Sequence, residues 1–176
     1  MNAQGLGRGG KMNQLYAEAG VKKKETIATM ALRALMILGI LIGFFTLLFG
    51  GIISVIGLVL IVFLIFLIPR LNIEYEYVFV DGQLDFDKIT GKSKRKTVLR
   101  IDLEQVEIVA PMNSHALDSY NNIQYENKDF SSGDKNVNPY VIIGTAKAKK
   151  VRITFEPTEK MLTMMKQKSP RKVVSF

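Results

Sequence analysis

Lys92, Lys94, Arg95 and Lys96 place four cations in five positions, the densest chemistry-bearing cluster in this chain. Lysine offers a compact ammonium and arginine a planar fork of N–H donors, and both suit phosphate and carboxylate oxygens. Close to an anionic lipid surface each such cation contributes about 1 kcal/mol. The competing reading is a solvated hairpin edge, because lysines on an edge strand also block edge-to-edge pairing. Lys147, Lys149, Lys150 and Arg152 form a second basic group with the same two readings. No aromatic residues interleave with these cations, so the stacking platform of a nucleic-acid groove is missing and nucleic acid is not an expected partner.

The other chemical candidates are weaker. His115 is the single histidine, with Ser114, Asp118 and Ser119 beside it. A catalytic triad needs its members converged by the fold, and adjacency in a loop supplies no such geometry. The expected role is local capping of a turn by Ser114 or by His115 with Asp118. Gly5 to Gly10 spells G-x-G-x-x-G, but a dinucleotide site needs a strand before that string, and here it sits at the extreme N-terminus. The chain has no cysteine, which excludes a disulfide framework, a thiolate metal site and a cysteine nucleophile. With one histidine besides, zinc ligation is not expected. The sequence therefore predicts no catalytic residue, no cofactor and no metal site. An enzyme, if there were one, would use Asp118, His115 or the acidic pair Asp85 and Asp87.

The elements that must position the cations begin with an apolar run. From Ala34 to Pro69 no residue is charged, 36 positions in all. A soluble helix keeps one polar face, and about 18 apolar residues already suffice for a membrane span. As one helix the run would be about 54 Å long, against a hydrocarbon core of about 30 Å. Two helices fit better than one tilted or re-entrant segment: residues 27–48 and 52–69, with the turn near Phe49, Gly50 and Gly51 and with Pro69 ending the second. Arg33 is expected to snorkel toward the interface. A signal peptide fits poorly, since its apolar region is short and followed by a cleavage site.

The net charge of +8 is divided evenly, with +4 before the apolar run and +4 after it. Both outer flanks are basic and the connecting turn is uncharged, so the positive-inside rule predicts a multi-pass protein of the cell membrane with both termini cytoplasmic. Gly39 and Gly43 form a G-x-x-x-G that lets helix backbones approach. It serves packing within the hairpin or, less well, a dimer seam. No ionisable residue lies mid-span, which argues against a transporter or channel acting alone.

After the run the period changes to two. Ile73, Tyr75, Tyr77 and Phe79 alternate with more polar neighbours as a half-buried strand. Asp81-Gly82 reads as a tight hairpin turn. Leu84 and Phe86, with Lys88 as an extension, form a second strand. Arg95 to Ile101 is a third, and Val106 to Val109 a fourth, ended by Ala110-Pro111. Residues 112–138 are polar and read as a long loop holding one short strand or helical turn near Leu117 to Tyr125. Tyr140–Thr145 and Val151–Phe155 are two more strands. Pro157 opens a helix whose first turn holds Glu159 and whose last holds Lys166 and Lys168, as the helix dipole prefers. Met161, Leu162, Met164 and Met165 give it an apolar face, read as packing on the sheet rather than as an adaptable groove.

Residues 1–26 read as a flexible basic segment. Its first eleven positions are Gly-rich, Met12 offers an alternative start, and Asn13–Val21 could form a short interfacial helix. The chain thus divides into 1–26, a transmembrane hairpin over 27–70, and a cytoplasmic β-rich domain over 71–176 with a C-terminal helix at about 157–168.

This order of elements resembles the bacterial pleckstrin-homology-like domains that follow membrane hairpins. From about Met12 to Val174 the chain is similar to a family of small Firmicutes membrane proteins classed as a domain of unknown function. The likeness rests on Phe66 to Leu71, Glu74-Tyr75-Glu76-Tyr77, Gly91 to Lys96, Ala110-Pro111, His115 to Tyr120, Asp129 to Gly133, Phe155-Glu156-Pro157 and Pro170-Arg171-Lys172. It implies an α+β membrane protein, a two-helix hairpin and then an antiparallel pleckstrin-like domain with a C-terminal helix, and it carries no site residues.

The expected function is a non-enzymatic, membrane-anchored binding or scaffold module. Its partners are the bilayer, anionic lipid headgroups and a protein of a membrane complex. The alternative is an accessory subunit of a transporter or other membrane complex, with the hairpin as the interaction surface.

Overall fold

The computed structural model describes residues 15–91 and 94–174. The Gly5–Gly10 string, Met12 and Lys92 lie outside the described residues.

Two apolar helices come first among the long elements. α1 spans Ile27–Thr46 and α2 spans Gly51–Leu67, each extended by a 3-10 turn, over Leu47–Phe49 and Ile68–Leu71 respectively. Both are long and apolar enough to cross a membrane. Gly50 and Gly51, at φ of 63° and 64°, make the turn between them, a left-handed conformation that side chains with a Cβ resist. The helices meet along glycines. A Cβ on Gly43 would lie 2.8 Å from Ile61 Cγ1 and one on Gly39 2.9 Å from Leu64 Cδ1, while one on Gly57 would overlap Thr46 Oγ1 and lie 2.8 Å from the Gly43 carbonyl oxygen. Gly39 and Gly43 therefore sit in the α1–α2 contact. Thr46 and Ser54 satisfy their hydroxyls on the carbonyls of Gly43 and Gly51, as polar groups on an apolar helix surface require.

A strand precedes the helices, and this corrects the expected interfacial helix and flexible segment up to residue 26. β1 spans Tyr16–Lys22 and pairs antiparallel with β2, Ile73–Val80. Ala17 and Ala19 are buried opposite Phe79 and Tyr77. Read alone, Tyr16–Lys22 has small residues where a strand normally shows large ones. The bulk is supplied by its partner across the sheet, so the period of two is easy to miss.

β3 (Gln83–Thr90) and β4 (Lys94–Asp102) complete a four-stranded sheet in the order β1-β2-β3-β4. Asp81 and Gly82, at φ of 54° and 109°, turn the β2–β3 hairpin. In β4 a bulge falls between the pairings Phe86↔Leu99 and Asp87↔Thr97. One face of the sheet carries Tyr75, Tyr77, Phe79, Leu84, Phe86, Leu99 and Ile101 into the core; the other carries Glu18, Glu74, Glu76, Asp85 and Asp87.

The second sheet has the order β5-β7-β8-β6, with β5 at Val106–Pro111, β6 at Glu126–Asp129, β7 at Tyr140–Ala146 and β8 at Lys149–Phe155. β6 pairs parallel with β8, so the expectation of an entirely antiparallel domain is corrected at this edge. The cause is the connection: chain 112–125 crosses the outer face of the sheet before β6, and a crossover returns a strand parallel. On that face Leu117, Val141, Ile143 and Ala110 form a second small core with Tyr120 and Tyr125 against it. The polar stretch is thus a cover for β7, whose two faces are both buried, with a 3-10 segment over His115–Tyr120.

α3 (Glu159–Lys168) closes the main core with Met161 and Met165, both fully buried. Its N-cap is Thr158, whose hydroxyl accepts from Met161 N at 3.3 Å, so the helix begins two residues after Pro157. Between the sheets Tyr77, Phe86, Phe130 and Phe155 form an aromatic cluster, with Phe86 and Phe130 stacked at 4.7 Å. Tyr77 Oη donates to the Phe130 carbonyl at 2.6 Å, and burial pushes its phenol well above the ordinary range.

Candidate functional site at the helix-proximal end

The β3–β4 hairpin folds its tip back onto the end of α2. Gly91 N donates to the Asn72 carbonyl at 3.1 Å, and a Cβ on Gly91 would lie 3.3 Å from the Pro69 carbonyl oxygen. The basic cluster therefore sits where the helices join the β domain. β1 ends at the same place: Lys23 N donates to the Ile73 carbonyl at 2.9 Å, and Lys24 N to the Ser132 carbonyl at 2.7 Å.

The structure separates the four predicted cations. Lys94 and Lys96 are exposed and share one face of β4, and Lys96 stands directly opposite Lys88. Like charges opposed across a ladder destabilise it, and no acidic group pairs with Lys88, Lys94 or Lys96 among the described residues. Arg95 points to the other face. Its Nε donates to Asp87 Oδ2 at 2.6 Å and its guanidinium reaches Glu76 Oε2 at 2.8 Å, and Asp87 raises its pKa further. Arg95 is thus a structural cation bound to its own sheet. Lys92 lies outside the described residues.

Other cations join Lys88, Lys94 and Lys96 at this end. Lys22, on β1, and Arg70, just after α2, are exposed. Lys23 lies over the Tyr75 ring at 5.6 Å, and Lys24 Nζ bonds Asp134 Oδ1 at 3.2 Å. Lys22, Arg70, Lys88, Lys94 and Lys96 make a basic collar around the roots of the two helices. Sequence reading found its flanks and its tip but passed over Lys88, which joins the collar only through the β3–β4 register.

Inside the collar Arg33 ties the helices to the domain. Its Nη1 donates to Glu25 Oε1 at 2.6 Å and its Nη2 to Asn72 Oδ1 at 2.9 Å. Rather than reaching out alone, Arg33 is clamped between the chain entering α1 and the chain leaving α2.

The second basic group is more dispersed. Lys147 turns the β7–β8 hairpin at φ of 50°, and Lys149 lies 3.8 Å from Glu126. His115 is fully exposed with Nδ1 3.2 Å from Asp118 Oδ2, and Ser114 Oγ accepts from Ala116 N at 3.3 Å. These contacts cap the 3-10 segment that covers β7.

A family model described as a bacterial PH-like domain (DUF6106) matches residues 13–175. No curated protein and no solved structure matches the chain.

Proposed function

The chain belongs to this family of bacterial PH-like domains, and from that premise we propose that it is a non-enzymatic binding or scaffold module. Its helical hairpin anchors it in the cell membrane with both termini cytoplasmic, and its PH-like domain holds anionic lipid headgroups against the basic collar. The observation that carries this reading is the placement of Lys88, Lys94 and Lys96. Among the described residues no acidic group pairs with them; they repel one another and are set at the roots of two helices long enough to cross a bilayer.

An anion beside these residues relieves their repulsion. Lys88 and Lys96 face one another across the ladder, and a phosphate between them turns a repulsion into two charge-assisted hydrogen bonds. Arg70 and Lys22 would stand at headgroup height, where the surface potential of the inner leaflet attracts cations within about a Debye length.

The test is hydrogen exchange of the full-length protein in nanodiscs. Amides of Lys94 to Thr97 should exchange more slowly in discs containing phosphatidylglycerol than in phosphatidylcholine alone. The variant K88A/K94A/K96A should abolish the difference. Equal exchange in the two lipids for the unaltered protein would overturn the lipid reading.

A further inference from the structure

The second basic group stands at the opposite end of the β domain from the collar. β8 runs from Lys149 to Phe155. The next residue, Glu156, accepts from Ser132 N at 2.8 Å, and the Ser132 carbonyl accepts from Lys24 N, just ahead of α1. Seven residues of strand span about 23 Å, so the β7–β8 hairpin begins that far along the strand from the helix roots. The other end agrees. A Cβ on Gly144 would lie 2.6 Å from the Gln105 carbonyl oxygen, and Leu103 N donates to the Gly82 carbonyl at the far turn of the first sheet.

At the tip of this hairpin Lys147 and Ala148 hold φ of 50° and 62° in succession. Asn-Gly is the usual occupant of such a turn, because it takes the left-handed conformation most easily. Beside the tip a cleft of about 460 Å³ is lined by Gln124, Tyr125, Glu126, Lys149 and Lys150. Its carboxylate is already shared: Glu126 lies 2.6 Å from Lys128 Nζ and 3.8 Å from Lys149 Nζ. Lys128 first, then Lys149 and Lys147, hold that carboxyl below its ordinary 4.5. No acidic group pairs with Lys147 or Lys150 among the described residues. Four ammoniums thus surround one carboxylate, and the mouth of the cleft keeps a positive excess.

We propose that this cleft binds an acidic segment of a soluble protein, whose Asp or Glu side chains seat against Lys147, Lys149 and Lys150. Charge complementarity selects an anion. Distance puts the bilayer that holds the helices out of reach, since about 23 Å is more than twice the Debye length of about 8 Å at physiological ionic strength. Tyr125 packs against the small core, and a single ring makes no stacking platform for bases. The choice of a soluble protein over a lipid rests on the membrane placement proposed above; the cleft's preference for an anion does not.

The experiment uses the full-length protein in phosphatidylglycerol nanodiscs, whose anionic surface repels an acidic probe from the collar. The probe is a fluorescent water-soluble peptide of alternating glutamate and serine, with lysine in place of glutamate as its control. Separate phosphatidylglycerol vesicles test a second membrane as the rival ligand. The glutamate peptide should bind, more weakly as salt rises, and the lysine peptide should not. K147A/K149A/K150A should weaken binding about tenfold. K147N/A148G gives the turn its preferred residues, so it should raise the thermal midpoint and still weaken the peptide about threefold. Affinity unchanged in K147A/K149A/K150A, or lost in K88A/K94A/K96A instead, would overturn the site. Capture of vesicles through the hairpin lysines, with no binding of the glutamate peptide, would overturn the acidic protein partner. The collar is decided by the exchange test above, so the two proposals fail separately.

Discussion

Arg33 and Asn72, 39 positions apart in sequence, are joined by a hydrogen bond of 2.9 Å from Nη2 to Oδ1. The same guanidinium pairs with Glu25. One side chain thus links the entry to α1, the exit of α2 and the start of β2, and any tilt of the hairpin is passed to the β domain at its root.

Removing that link should cost stability. Arg33→Leu strands Glu25 and Asn72, and the expected loss is about 1–3 kcal/mol for partly buried groups bonded to a charge. Arg33→Lys should recover only part of it, because an ammonium cannot hold both partners in fixed directions. Denaturant unfolding of the detergent-solubilised protein measures both.

The glycines of the hairpin should differ in tolerance. Gly57→Ala meets Thr46 Oγ1 and the Gly43 backbone carbonyl, whereas Gly39→Ala meets only the movable end of Leu64. Overpacking of a tight contact costs about 1–3 kcal/mol. Gly57→Ala should therefore lower the thermal midpoint clearly and Gly39→Ala much less. Equal effects would show that the helices do not pack along Gly57.

The pair Glu18 and Glu76 should write itself into the pH dependence of stability. The hydrogen bond with Glu18, and then burial, raise the Glu76 carboxyl above its ordinary 4.5, with Arg95 opposing. Hydrogen bonds from Glu76 and Tyr16 lower Glu18. A raised carboxyl stabilises the fold fully below its unfolded value and loses that contribution as pH climbs through the raised one; a lowered carboxyl does the reverse. Glu76→Gln, which keeps a donor toward Glu18 at every pH, should match the unaltered protein near pH 4.5 and exceed it in stability at neutral pH. Unfolding curves across that range decide the matter, and parallel profiles for the two proteins would contradict it.

Much of this fold is legible in the residues because the signals are local. An unbroken apolar run, a Gly-Gly break, Asp81-Gly82 at the hairpin and the tyrosine alternation of β2 each need no distant partner. Three features do need one. β1 reads poorly because Ala17, Ala19 and Gly20 acquire meaning only against Phe79, Tyr77 and Glu76. β6 reads as loop because its pairing partner lies across a crossover. The division of the cation cluster depends on the β4 bulge, which fixes the register that sends Arg95 to Asp87 and leaves Lys96 opposite Lys88. The alternation Glu74-Tyr75-Glu76-Tyr77 already places both glutamates on the face away from the core. Only the fold shows that Gly20 stands opposite Glu76 and leaves a gap there.

The proposed placement, a hairpin in the membrane with the β domain in the cytoplasm, is open to a direct test of topology. The chain has no native cysteine, so single cysteines report cleanly. Phe49→Cys suits the turn, because Phe49 is 68% exposed and Gly50 and Gly51 hold positive φ that a side chain would strain. Lys135→Cys suits the domain, since Lys135 is exposed whereas Ser132 is engaged with Glu156. In intact cells a membrane-impermeant thiol reagent should label Phe49→Cys at once and Lys135→Cys only after permeabilisation. Labelling of Lys135→Cys in intact cells would place the PH-like domain outside and remove the inner leaflet as its partner.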